Sequence, residues 1–243
     1  MKKKTLLFMT LLLTGCNTNK TDANNSNSNK TSDITPSITP SSSTNNESNS
    51  LSSASTITTV SKTSESKFDR KIRIYLNPSV QTRNLYVNNL GTEAEHMNNI
   101  ARFLYNELLT YQFLDVKVNL RYLSLTDSVK ESNTFNSDIH FALHSNAGGG
   151  SGSEIFTISS YEFSNTIYNG FMSLGNFKRR GVKDGSKLYE IKNSKAKDKA
   201  LMEILFHDNV EEAKFIANNE ELIAHQFALS MIEYVYTKYS KNS

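Results

Sequence analysis

The sequence predicts an α/β fold: a single three-layer domain with a mixed, mostly parallel sheet and helices on both faces, preceded by a disordered linker. Three observations predict it. Strand-like and helix-like segments alternate from Lys71 to Tyr239. That span is a normal length for one domain. Residues 17–69, by contrast, are Asn, Ser and Thr with almost nothing apolar, and such a segment cannot bury enough surface to offset its ordering entropy.

The elements follow in order. KIRIYL (71–76) reads as a strand. Residues 92–111 read as a helix, with Met97, Ile100, Ala101, Leu104 and Leu108 on one face. VKVNL (116–120) is a strand and 126–134 a short helix. DIHFALH (138–144) and EIFTIS (154–159) are strands, and a helix spans about 160–174. LYEI (188–191) and ALMEILF (200–206) read as strands, and helices follow near 210–218 and 220–239. In sheets of this kind, sites form at the carboxyl ends of the strands.

The chain opens MKKKTLLFMTLLLTGC. Three lysines, a short apolar run and small residues make a secretory signal peptide over 1–16. Leu13-Thr14-Gly15-Cys16 is similar to a bacterial lipobox, which implies that Cys16 is lipidated and holds the protein on the outer face of the cytoplasmic membrane, at the cell wall. Residues 17–69 would then be a tether, and 70–243 the folded domain. Cys16 is the only cysteine, which excludes disulfides within the chain and Cys-based metal sites. Net charge is +3 with both signs scattered, and the absence of a basic block beyond the signal argues against nucleic acid.

Three places carry candidate chemistry. The first is Glu93. Thr92-Glu93-Ala94-Glu95 has the form of a capping box, which accounts for Glu95 but not for Glu93. Glu93 stands four before Met97 and seven before Ile100, so it points along the buried stripe. It is either a charge favoured by the helix N-terminus or a carboxylate that is paired or binds a metal.

The second is the strand with two histidines. His140 and His144 share a face but stand roughly 13 Å apart. One metal cannot bind both. His144 is last before the loop Ser145–Gly150, at the strand's carboxyl end; His140 lies deeper and reads as a core histidine.

The third is Glu203, an acid inside the apolar run ALMEILF. It is either a salt-bridged core acid or a group whose pKa burial raises toward that of a useful general base. A helix-start carboxylate, a strand-end imidazole and a strand carboxylate are together the parts of a zinc hydrolase.

These residues resemble the zinc-dependent N-acetylmuramoyl-L-alanine amidases, which cut bacterial peptidoglycan. The resemblance covers nearly all of 71–239. It rests on Ser137-Asp138-Ile139-His140-Phe141-Ala142-Leu143-His144-Ser145-Asn146-Ala147 followed by Gly152-Ser153-Glu154, on Glu93 standing seven before Ile100-Ala101, on Arg180-Gly181-Val182-Lys183, and on Leu201-Met202-Glu203-Ile204-Leu205-Phe206-His207-Asp208-Asn209. It implies that Glu93 and His144 bind Zn²⁺, that Glu203 is the base that activates water, and that Asn146 and Arg180 lie in the substrate cleft. The attacked bond would be the amide between N-acetylmuramic acid and L-alanine of the stem peptide. One departure stands out. The family's D-P-G-H-G-G is here Asn77-Pro78-Ser79-Val80-Gln81, without its zinc-binding histidine. His207 or Gln81 is the expected third ligand, and His96 a weaker candidate that could face solvent. The missing histidine also supports an alternative: an impaired amidase-like lipoprotein that binds peptidoglycan or a partner protein.

Overall fold

The computed structural model describes residues 67–241. The expected signal peptide, Cys16 and nearly all of the expected tether lie outside the described residues. Among those described, no helix is long and apolar enough to cross a membrane.

Six strands form one sheet: β1 (Ile72–Pro78), β2 (Leu114–Val118), β3 (Ile139–Asn146), β4 (Ser153–Thr157), β5 (Arg179–Asp184) and β6 (Asp198–Phe206). Their spatial order is β2-β1-β3-β6-β4-β5. All neighbours are parallel except β4 against β6. The carboxyl ends of β1, β3 and β6 therefore share an edge with the amino ends of β4 and β5.

The helices are α1 (Glu93–Leu108), α2 (Leu125–Thr134), α3 (Tyr161–Met172), α4 (Tyr189–Asn193), α5 (Val210–Asn218) and α6 (Glu220–Tyr239). The period-two alternation of β3 sorts the two faces. Ile139, Phe141 and Leu143 enter the main core, where α1, α3 and α6 pack. His140, Ala142 and His144 face the other way. Ala142 packs there with Ile191 of α4 and Leu201 of β6. This second face carries only the short α2 and α4, so it leaves the carboxyl ends of β3 and β6 accessible.

Two expectations need correction. LYEI is not a strand: Tyr189–Asn193 is α4, with Leu188 as its N-cap. Its apolar residues do not alternate. Glu190 and Ile191 are buried side by side under the sheet while Tyr189 is exposed, as one helical turn requires. Conversely, Arg179–Asp184 forms β5 although the sequence shows no apolar alternation there. It is the edge strand beside β4, and half of its surface faces water.

Candidate active site

The loop from β1 to α1 builds one wall of the site. Ser79 N donates to Leu143 O at 2.8 Å, and Asn98 Nδ2 donates to Ser79 O at 3.0 Å. Thr92 caps α1 by accepting from Glu95 N at 3.1 Å. Glu93, in the first turn, is 1 % exposed. Its carboxylate takes four donors: Asn84 Nδ2 at 2.6 Å, His144 Nδ1 at 2.9 Å, Ser145 N at 3.4 Å and Gln81 Nε2 at 3.5 Å. Burial alone would raise the Glu93 pKa, but these hydrogen bonds, His144 foremost, hold it below its ordinary value. Burial works against the charged form of His144 too, but Glu93 outweighs it and pushes His144 up to about 9.

The sheet builds the other wall. His144 of β3 is in register with Glu203 of β6, and Glu203 is in register with Glu154 of β4. The three side chains therefore make a row across the sheet. A register shift follows between His144 and Asn146, as bulges do beside functional sites. Asn146 Nδ2 donates to Glu154 Oε1 at 2.8 Å, and Arg180 pairs with the same oxygen at 3.0 Å while lying over the Phe206 ring at 5.1 Å. Glu203 is pushed up to about 7, mainly by burial, with Glu93 and Glu154 adding and His144 and Arg180 opposing. Its Oε2 has no hydrogen-bond partner. A buried carboxylate with one free oxygen, half-protonated near neutrality, is poised to take a proton.

The residues fit a divalent metal at two corners. Glu93 Oε1 and His144 Nδ1 lie 2.9 Å apart, close enough to share one ion at Zn–O and Zn–N distances of about 2.1 Å. The third corner is Gln81, whose Nε2 is 3.5 Å from each of them. A metal there needs the amide oxygen inward, yet Gln81 Oε1 accepts from Asn84 Nδ2 at 2.9 Å. His207, the other expected third ligand, does not join them. Its Nδ1 lies 3.0 Å from Ser145 Oγ and 3.2 Å from Ser145 O, and its ring stacks on Tyr86. His96 is buried rather than solvent-facing, held between Glu220 at 2.6 Å and Leu90 O at 2.7 Å. Among the described residues no group of three His, Cys, Asp or Glu could hold a metal ion.

His140 is a core residue, fully buried between Ser132 Oγ at 2.8 Å and Glu190 Oε1 at 2.6 Å. Glu190 is the residue that sequence reasoning missed. The signal was available, because an acid stands among apolar neighbours in LYEI as Glu203 does in ALMEILF.

A stability profile follows for the metal-free protein. Glu203 has a folded pKa of about 7 against an ordinary 4.5. The folded state holds the extra proton between those values, so stability falls as pH rises through that window. The His144 contribution is present below 6.5 and lost as pH rises through about 9. Melting temperatures should therefore decline from pH 5 to 9. Glu203→Gln should remove the decline below pH 7 and leave the one above it. An unaltered profile would remove Glu203 as its source.

Comparison with known proteins bears on this site. The family model described as N-acetylmuramoyl-L-alanine amidase matches residues 82–233. The match begins one residue after Gln81. No curated protein matches the chain. Among solved structures, the catalytic domain of CwlV from Bacillus (Paenibacillus) polymyxa var. colistinus is similar at a TM-score of 0.63 and 17% identity, over 69% of this chain and 99% of that one. AmiC2 of Nostoc punctiforme matches at 0.61 and 15%, over 68% and 97%. The Clostridioides difficile CwlD amidase, solved with the GerS lipoprotein, matches at 0.56 and 16%, over 69% and 100%. At these identities the likeness speaks for the fold.

Proposed function

Because the chain belongs to the N-acetylmuramoyl-L-alanine amidase family, we propose that it hydrolyses the amide joining the lactyl group of N-acetylmuramic acid to L-alanine of the peptidoglycan stem. The observation that carries this reading is Glu203: a buried carboxylate with a free oxygen, in one row with His144 and Glu154. The Glu203 carboxylate takes the proton of the attacking water and returns it to the leaving nitrogen. Burial keeps that proton available near neutral pH. Glu93 and His144 would hold a divalent metal, zinc on this reading, and the Gln81 amide would join them only with its oxygen turned inward. Bound there, the metal supplies a Lewis acid for the carbonyl and acidifies water. Asn146 and Glu154 fix the far side of the cleft. Arg180, paired with Glu154 and partly exposed, offers its guanidinium to a substrate oxygen.

Anchoring belongs to the same proposal. A lipid on Cys16, followed by a tether of about fifty residues, gives the domain reach from the outer face of the membrane into the wall. Cys16→Ser should shift the protein from the membrane fraction to the medium and abolish incorporation of labelled palmitate. Unchanged fractionation would remove the anchor.

One observation favours a second reading, a domain that binds peptidoglycan or a partner protein without cutting. The Gln81 amide presents its nitrogen, not its oxygen, to Glu93 and His144. Release of new L-alanine amino termini from cell walls by the purified protein supports the first reading. Binding to walls with no release, at saturating zinc, assigns the second.

A further inference from the structure

Beside the Glu93–His144 corner lies a cavity of about 180 Å³ that shares Gln81 and His144 with it. Its sides are aliphatic: Val80, Leu123 and Leu125. Its floor is polar and buried, made of Asn77, Asn119, Ser128 and Glu190. The internal hydrogen bonds of that floor occupy all of its side-chain donors but one N–H of Asn119. Asn77 Nδ2 donates to Glu190 Oε1 at 2.5 Å and to Ser128 Oγ at 3.2 Å. Asn119 Nδ2 donates to Asn77 Oδ1 at 3.0 Å, and Ser128 Oγ donates to Leu125 O at 2.9 Å. Beside that N–H, what remains is acceptor capacity. Glu190 Oε1 is occupied by Asn77 and His140, but Glu190 Oε2 has no partner although the side chain is 2 % exposed.

An unpartnered buried carboxylate oxygen is unfavourable unless a ligand or water satisfies it. The charged form is the one present. Burial would raise Glu190, but the hydrogen bond from His140 holds it below its ordinary value. An anion is therefore repelled. A metal is poorly served, because Glu190 is the only carboxylate on the floor and no convergent trio of metal-ligating side chains exists among the described residues. An ammonium group carries three donors and no acceptor, which complements a floor of free acceptors. Aliphatic walls suit the methylenes that lead to it.

We infer that this cavity is a subsite for a primary ammonium group at the end of an aliphatic stem. On the amidase reading, on which this step alone rests, that stem is the side chain of a diamino acid in the stem peptide, seated next to the scissile amide. The subsite then selects stem peptides that carry a free side-chain amine.

The test is a titration of the full chain with n-pentylammonium, 1-pentanol, Nα-acetyl-lysine amide and its Nε-acetyl derivative, followed by NMR. The two amines should bind saturably and perturb Leu123 and Leu125, and 1-pentanol and the acetylated lysine should bind at least about tenfold more weakly. Glu190→Gln should remove that preference. Because Glu190 also partners His140, Leu123→Trp serves as a second variant that fills the aliphatic side without changing a floor side chain, and it should weaken both amines. No saturable amine binding, equal binding of 1-pentanol, or amine affinity unchanged in both variants overturns the inference. Binding is read without hydrolysis, so an inactive protein that still prefers the amines would contradict the amidase reading and leave the subsite standing.

Discussion

Glu203→Gln should abolish the release of amino termini from peptidoglycan, a loss of about 10²–10⁴-fold or more, the range that a positioned general base contributes. The amide has nearly the shape of the carboxylate but cannot accept and carry a proton. The loss is not one of folding. Glu203 is a buried acid whose ionised form is disfavoured, with Oε2 unpartnered. Neutralising it should leave stability equal below pH 5 and higher at pH 8. Metal affinity should change little, because Glu93 and His144 pair with each other. Rate and metal content measured together separate the roles. Retained hydrolysis would remove Glu203 as the base, and lost metal would make it a ligand instead.

Gln81→His raises zinc affinity by on the order of a hundredfold. Four-ligand zinc sites bind with about 10–16 kcal/mol, or roughly 3 kcal/mol per ligand, and about 1.4 kcal/mol is tenfold. The native corner has two such ligands and an amide. The Gln81 side chain already reaches within 3.5 Å of both Glu93 Oε1 and His144 Nδ1, so an imidazole at that position meets the same point. Val80→His is the control. By chain position Val80 stands where the family's histidine falls, but it is Gln81 whose side chain approaches Glu93 and His144. It should gain far less. Zinc competition with a chromogenic chelator reads both. Equal gains would mean that the loop carries either residue inward, and no gain from Gln81→His would remove that position from the metal corner.

Most of the architecture was legible because it rests on period and on burial. The stripe of α1 has one buried face, and β3 sends Ile139, Phe141 and Leu143 to the main core by alternation; both patterns show in the sequence. β5 was not legible: an edge strand with charged residues at Arg179, Arg180 and Lys183 has no apolar face to display. LYEI misled because a four-residue apolar run fits a strand and a helical turn equally well. At the site, Glu93 and Glu203 could be read as acids out of place among apolar neighbours, and the spacing of a strand separated His144 from His140. Partnership could not be read. That His207 turns to Ser145 and Tyr86, that Gln81 rather than Val80 faces the Glu93–His144 pair, and that His140 anchors Glu190 all depend on where the loop after β1 and the turn of α4 settle in space.

The central claim is that the row of His144, Glu203 and Glu154, with Glu93 behind it, cuts the bond between N-acetylmuramic acid and L-alanine. Mass spectrometry of the soluble products from purified peptidoglycan, incubated with the protein at saturating zinc, tests it most directly. The account predicts stem peptides with a free L-alanine amino terminus, and none from Glu203→Gln. Walls left uncut, or the same peptides released by Glu203→Gln, would contradict it.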